Sequence, residues 1–135
     1  MTNTEITKIW LDHSTTETIE RMRQFMHPEH KFHNPLVPVP LGIEEHIGML
    51  HKMNTTFSDQ KHHIDLLLES KDYITVRGRL QGTHTGEFQG IEATNKSFEV
   101  PFTIILEFVD SKIRNEYMEM NPLTILKQIG AVKNP

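Results

Sequence analysis

The sequence predicts an α+β fold in which N-terminal helices wrap one face of a curved antiparallel meander sheet. Before Phe57 the apolar residues recur at helical spacing, and from His63 onward they follow the alternation of strands. Gly78 and Gly82 lie inside the strand region, where glycine favours a bend. A bent sheet that is roofed by helices encloses a pocket and not a solid core, so we expect an internal pocket in this domain.

Three helices are predicted before the sheet. Residues 3–12 place Ile6, Ile9 and Trp10 at helical spacing, and residues 14–17 have the form of a capping box that opens a second helix. Pro28 ends this second helix, and residues 30–35 form a short extended piece. A third helix begins at Gly42 and ends near residues 57–59.

Four consecutive antiparallel strands follow. Residues 63–69 and 73–80 form a hairpin, and a glycine-rich loop leads to a strand at 97–109 that returns at 112–121. Pro122 opens a closing helix through Ile129, and Gly130 is its stop signal. The 135 residues contain no internal repeat or linker, so we predict a single domain over 1–135.

Composition excludes several functional classes. The net charge is −4 and the basic residues are scattered, which gives nucleic acid no electrostatic footprint. The chain has no cysteine, no leader-like N-terminus and no apolar run of membrane-spanning length. We therefore expect a cytoplasmic protein with no nucleic-acid or membrane partner.

The histidines are the first candidates for chemistry. His27, His30 and His33 recur at steps of three, but Pro28 keeps them off one helical face, so we predict no metal site and regard them as solvated. His33 and His84 lie on extended segments beside bend-forming residues. Each is a candidate proton carrier or donor to a carbonyl, or else a ring that ties down a loop.

The last hairpin provides the candidate base. A type I turn with a bulge at residues 110–112 would place Ile105 and Glu107 on the same sheet face as Asn115, Tyr117 and Asn121, whereas a two-residue turn would separate the two sets. If Glu107 points inward, it is a carboxylate in apolar surroundings with a raised pKa, suited to acid or base catalysis. If it points outward, it is a solvated charge.

Several motifs resemble those of the SnoaL-like polyketide cyclases. Residues 82–91 read G-T-H-T-G-E-F-Q-G-I, and Asn95 stands where the family pattern ends in Gly. Residues 32–35, 112–117 and 128–130 are similar to further parts of the family pattern. The resemblance implies a nuclear-transport-factor-like cone fold, a homodimer, and a cofactor-free intramolecular aldol condensation in which a carboxylate on the last strand takes an α-proton.

The resemblance fails at that carboxylate. Its position is occupied by Asn121, whose amide cannot accept a proton at neutral pH. Three hypotheses stay open. In an enzyme the base has moved, with Glu107 as first candidate and His33 as second. In a binding protein the pocket retains a ligand without chemistry, and in an interaction module the open sheet face pairs subunits.

The expected ligand is a small apolar or aromatic carbonyl compound, and no cofactor is expected. The residues assigned to catalysis are Glu107, His33 and Asn121, and those assigned to ligand contact are Tyr117, Ile105, His84 and Asn34.

Overall fold

A computed structural model describes residues 1–132 of the chain. The remaining three residues of the expected domain, 133–135, lie outside the described residues. The helices and strands, in chain order, are α1 (Asn3–Trp10), α2 (Thr16–Met22), β1 (Met26–His33), α3 (Ile43–Thr56), β2 (Phe57–Ser70), β3 (Tyr73–His84), β4 (Ser97–Val109), β5 (Lys112–Met120) and α4 (Pro122–Gln128). A single turn of 3₁₀ helix, Arg23–Phe25, joins α2 to β1.

The five strands form one sheet in the order β1-β5-β4-β3-β2. Strands β2 to β5 are the expected antiparallel meander, and the α+β architecture with N-terminal helices is confirmed. The structure adds a fifth strand, because β1 pairs in parallel with β5. Pro28 lies within this strand, which is tolerated because β1 is at the sheet edge.

The first two helices begin with capping boxes. In α1, Thr2 and Glu5 bond each other's backbone, and in α2 the same exchange joins Thr15 and Thr18. The box predicted at residues 14–17 is therefore shifted by one residue. None of the helices among residues 1–132 is long and apolar enough to cross a membrane.

The even-numbered residues of β4 form the centre of the core. Each of the six is apolar and almost fully buried: Phe98, Val100, Phe102, Ile104, Leu106 and Phe108. The helices pack Trp10, Ile19 and Met22 against the middle of this face, and α4 closes one end with Ile125 and Ile129. Within residues 1–132, no helix packs on the opposite face of the sheet.

Gly78 permits a close approach between β2 and β3. A Cβ at this position would lie 2.1 Å from the backbone oxygen of His63 and 2.8 Å from the Phe102 ring. No side chain fits such a space, so the glycine is required by packing.

The β4–β5 hairpin combines a tight turn with a bulge. Val109 pairs with Lys112, and the two turn residues Asp110 and Ser111 have φ of 53° and 62°, as in the primed turns that suit hairpins. The register then shifts so that Arg114 has no partner on β4. The turn is thus not the predicted type I, yet the bulge has the predicted effect on side-chain faces.

Candidate functional site

A cavity of about 470 Å³ lies between the inner face of the sheet and α3. Most of its wall is apolar and comes from β4, β5, α3 and the loop after β3, including Phe102, Ile104, Met118, Met120, Met49, Leu50, Met53 and Phe88. A cavity of this size and character suits a small organic ligand. The few polar side chains in its wall therefore determine what chemistry it can support.

Glu116 is the buried carboxyl of this wall. It is 6% exposed, and its Oε1 accepts a hydrogen bond of 3.0 Å from Nε1–H of Trp10. Burial raises the pKa of Glu116 to about 7, and the Trp10 hydrogen bond acts in the opposite direction. No group among residues 1–132 hydrogen-bonds Oε2, so this oxygen is available to exchange a proton with a ligand.

Two stacked histidines lie behind Glu116. Nδ1 of His30 is 2.8 Å from the carbonyl oxygen of Ile113, and a carbonyl can only accept, so this nitrogen carries the proton. Nε2 of the neutral His30 ring then accepts from Nδ1–H of His46 at 2.8 Å. The chain of bonds fixes both tautomers and leaves Nε2 of His46 without a proton.

The bare nitrogen of His46 faces the carboxyl of Glu116. The distance between Nε2 of His46 and Oε1 of Glu116 is 3.9 Å. Burial and the neighbouring His30 hold the pKa of His46 well below its ordinary value, so this ring stays neutral beside the carboxyl. At this distance the two atoms are too far apart for a direct hydrogen bond. The lone pair that faces the carboxyl disfavours ionisation of Glu116.

A second polar group lies on another part of the wall. Nε2–H of His13 donates to the carbonyl of Trp10 at 3.0 Å, and the His13 ring meets that of His62 edge-on with centroids 4.5 Å apart. Burial lowers the pKa of His13 to about 4. Gln60 lines the cavity nearby on β2, and the amide nitrogen of its side chain has no partner among the described residues.

Glu107 lies on the opposite face of the sheet from the cavity. It pairs with Asn115 across the hairpin, and its carboxylate accepts hydrogen bonds from Arg114, Asn115 and Tyr73 at 2.9, 2.9 and 3.1 Å. The bonds from Arg114 and Asn115 lower the pKa of Glu107 to about 2. Of the two orientations that the sequence leaves open, Glu107 thus has the outward one with a lowered pKa, because the inward positions of β4 are the even-numbered ones.

The other residues assigned to the last hairpin share this outer face. Ile105 pairs with Tyr117, and both are partly exposed. Nε2–H of His33 donates to Oδ1 of Asn115 at 2.9 Å, and its ring stacks on Tyr117 with centroids 4.5 Å apart. The structure thus groups Ile105 and Tyr117 with Glu107, as a bulged hairpin predicts, and adds His33 from β1, but this face lies outside the cavity.

Asn121 lies beyond the end of β5 and is exposed. Its side-chain oxygen accepts a hydrogen bond of 3.0 Å from the backbone of Leu123, which makes it the N-cap of α4. It does not line the cavity, although its neighbours Met120 and Pro122 do.

Asn34 alone among the predicted site residues lines the cavity. Its side chain is held by a bond to the backbone of Leu36 and a contact with the sulfur of Met118. His84 is fully buried, and its Nδ1 accepts from the backbone N–H of Thr94 at 3.2 Å. Asn95 has φ of 58°, the left-handed conformation expected where the family pattern has Gly.

The residues that sequence reasoning missed are Glu116, His30 and His46. A signal for Glu116 exists, since every even position of β4 from 98 to 108 is apolar and therefore faces the core. With a bulge in the hairpin, this assignment places Glu116 inward. The two histidines have no comparable signal, since their partners are distant in sequence. His30 is not solvated as expected but 1% exposed.

No group of three or more His, Asp and Glu side chains within residues 1–132 is arranged to hold a metal ion. The polar side chains of the cavity wall include the carboxyl of Glu116, the amide of Gln60, the ammonium group of Lys52 and the imidazoles of His13, His46 and His62.

The family model described as SnoaL-like polyketide cyclase matches residues 4–129. IdmH from Streptomyces antibioticus is 20% identical with a TM-score of 0.84, and the match covers 96% of this chain and 99% of IdmH. A SnoaL-like polyketide cyclase from Agrobacterium tumefaciens is 17% identical with a TM-score of 0.77, over 96% of this chain and 99% of the other. A protein from Catenulispora acidiphila with a ketosteroid isomerase-like fold is 16% identical with a TM-score of 0.80, over 97% and 98%. No curated protein matches the sequence.

Proposed function

Since the chain belongs to the SnoaL-like polyketide cyclase family, we propose that it catalyses cofactor-free proton transfer on a small, largely apolar or aromatic carbonyl compound. The reaction is an intramolecular aldol ring closure or a related isomerisation. The observation that carries the proposal is Glu116, a carboxyl with a pKa of about 7 in the wall of an apolar cavity. A general base is most effective when its pKa lies near the working pH.

In the proposed reaction, ionised Glu116 removes a proton from the carbon next to the ligand's carbonyl, and an enolate forms. For ring closure, the enolate carbon attacks a second carbonyl of the same molecule. The resulting alkoxide takes the proton back from Glu116, so one carbon–carbon bond forms without net oxidation. In an isomerisation, the proton returns to a different carbon of the enolate.

The groups around Glu116 adjust its basicity. Trp10 donates to Oε1 and favours the carboxylate, while burial and the lone pair of His46 favour the neutral acid. Because Oε1 is occupied by Trp10, we assign proton transfer to Oε2. His30 affects Glu116 only indirectly, because its hydrogen bond fixes the tautomer of His46.

The proposal does not use Asn121 or Glu107. Asn121 caps α4 from an exposed position, and Glu107 is tied to Arg114 on the far face of the sheet. Glu116 lies on β5, five residues before Asn121, which occupies the family's carboxylate position and caps α4. The proposed base therefore comes from within the last strand and not from its end.

The test is α-proton exchange of β-tetralone, an apolar aromatic ketone, in deuterated buffer followed by proton NMR. The wild-type rate should rise with pH through an apparent pKa of about 7, and Glu116→Gln should lower the rate by about a hundredfold. Glu107→Gln is the matched control and should keep the wild-type rate. Equal exchange by wild type and Glu116→Gln contradicts the proposal.

The alternative is a non-catalytic protein that binds the same class of ligand. It is favoured by the mainly apolar wall of the cavity. In that case β-tetralone binds to the wild type without exchange, and Glu116→Gln retains or improves the affinity.

We also propose that two copies of the chain pair through the outer face of the sheet. Across this face runs a row of apolar side chains that are 39–56% exposed: Leu66, Leu68, Tyr73, Ile105 and Tyr117. Leu68, Ile105 and Tyr117 fall in register across β2, β4 and β5, with Thr75 of β3 between Leu68 and Ile105. A two-fold dimer that stacks this face on itself removes the row from water.

A further inference from the structure

The cavity contains polar atoms that neither the fold nor the proposed base requires. Gln60 is 8% exposed, and Nε2 of its side chain has no hydrogen-bond partner in the part of the chain that the structure describes. A buried amide N–H without a partner costs free energy, so folding alone does not account for it. Gln60 also lines the cavity, where a ligand can supply the missing acceptor.

His62 presents a second such atom on the same strand. Its Nδ1 is buried and also lacks a partner among the described residues, and the side chain lines the cavity two residues after Gln60. Burial, with His13 and His63 nearby, holds the pKa of His62 well below its ordinary value, so the ring is neutral. Residues two apart on a strand point to the same face, about 7 Å apart.

These two residues lie on the same face of the sheet as Glu116 but toward its opposite edge. Glu116 belongs to β5, and Gln60 and His62 belong to β2, with β4 and β3 between them. One segment touches both regions, since Trp10 bonds Glu116 and His13 packs on His62. Both polar regions therefore open into one cavity whose remaining wall is largely apolar.

We propose that Gln60 and His62 form a second polar subsite that binds a hydroxyl or carbonyl oxygen of the ligand, away from the carbon that Glu116 deprotonates. The inference rests on the proposed function and names the specificity of that site. Gln60 donates through Nε2 to a lone pair of the ligand oxygen. A ligand hydroxyl also offers its own hydrogen to, or accepts one from, Nδ1 of His62, so a hydroxyl uses both residues.

The ligand that fits is thus an apolar ring compound with oxygen at both ends. One end is the carbonyl whose neighbouring carbon is acidic, and the other is the oxygen held by β2. A compound with a hydrogen at this second end leaves both buried atoms unpaired and binds more weakly.

The test compares two fluorescent probes, acetylnaphthalene and acetylnaphthalene with a hydroxyl on the far ring. Titration should show that the wild type binds the hydroxylated probe about tenfold more tightly. Gln60→Met, which keeps the length of the side chain and removes the donor, should abolish most of this preference. The matched control is Gln81→Met, because Gln81 bonds His63 and does not line the cavity.

A second measurement separates a binding role from a structural one. Without ligand, Gln60→Met should melt at a higher temperature than the wild type, since an unpaired buried donor is removed. The inference is overturned if the wild type binds neither probe or both equally, if Gln60→Met keeps the preference, or if that variant is destabilised. Each of these outcomes leaves the exchange test of Glu116 unaffected, so the subsite can fail while the proposed base stands.

Discussion

Oε1 of Glu116 lies 3.9 Å from Nε2 of His46, and both residues are buried. The two groups cannot both be charged and separated from water without a large cost, and the hydrogen bonds of His30 keep the facing nitrogen bare. The protonation of Glu116 is therefore linked to the stability of the protein and to the tautomer of His46, and both links are measurable.

Replacing Glu116 by Gln should change how stability depends on pH. Folding raises the pKa of Glu116 from 4.5 to about 7, so between these values the folded protein binds a proton that the unfolded chain has lost. The wild type consequently loses stability as pH rises through this window, by up to about 3 kcal/mol. Chemical unfolding at pH 4 to 8 should show that the free energy of unfolding of Glu116→Gln increases relative to that of the wild type by about this amount as pH rises.

Subtracting the two curves isolates this carboxyl. His13 and His46 have lowered pKa values, so they destabilise the protein as pH falls below about 6.5, but they are present in both proteins. Glu119→Gln, an exposed change on the same strand, should keep the wild-type pH dependence. A difference between wild type and Glu116→Gln that does not vary with pH would show that Glu116 is not buried as the structure has it.

Replacing His30 by Phe should lower the kinetic pKa of the proton exchange reaction. Without the acceptor on His30, His46 is free to move its proton to Nε2 and donate toward Glu116, which favours the carboxylate. We expect a decrease of about one pKa unit, with a small effect on KM. The pH profile of exchange measures the shift, and nitrogen NMR of the imidazole rings reports the tautomer.

His27→Phe is the control for this change, since His27 lies on the same strand and bonds only its own turn at Glu29. An unaltered kinetic pKa in a folded His30→Phe protein would mean that the tautomer of His46 has no influence on Glu116.

Asn121 is expected to matter for α4 and not for proton transfer. Asn121→Ala removes the N-cap and should cost about 1 kcal/mol in unfolding experiments. Asn121→Asp preserves the cap, because a carboxylate also accepts from the backbone of Leu123 and favours a helix N-terminus. We expect Asn121→Asp to leave the β-tetralone exchange rate unchanged. A marked gain in rate would indicate that this position reaches the ligand.

A charge on the outer face of the sheet should separate the proposed dimer. Leu68→Glu places a carboxylate at the β2 end of the apolar row, where stacking of the face on a second copy would remove the charge from water. Light scattering after size exclusion should give a dimer for the wild type and a monomer for the variant. Leu123→Glu, an exposed leucine on α4, should remain dimeric, and a monomeric wild type would contradict the proposal.

Local patterns were sufficient to predict most of the fold. Helical spacing located α1 and α3, and alternation placed the limits of β4 at residues 97–109, as observed. The parallel pairing of β1 with β5 could not be predicted in this way, because it joins segments about 80 residues apart and its short sequence contains Pro28. Pairing between distant segments depends on packing, which a local pattern does not report.

The candidate site was predictable only in part. The hairpin pattern predicted the bulge that groups Glu107 with Asn115 and Tyr117. The bulge alone, however, does not show which face of the sheet the helices cover. That choice depends on where the helices pack, and the apolar even positions of β4 show the answer. The bonds between His30, His46 and Glu116 join three separate elements, so spacing along the chain gives no sign of them.

The strand order leaves β2 at one border of the sheet with no neighbour on its outer side. As an edge strand of 14 residues, β2 has backbone N–H and C=O groups on its outer side that could pair with a strand of another chain. Two irregularities divide it, one between Ser58 and Lys61 and one between Ile64 and Leu66, and the second contains Asp65 in an ion pair with Arg79. The longest strand of the protein thus exposes only short regular pieces, which protects the chain against edge-to-edge aggregation.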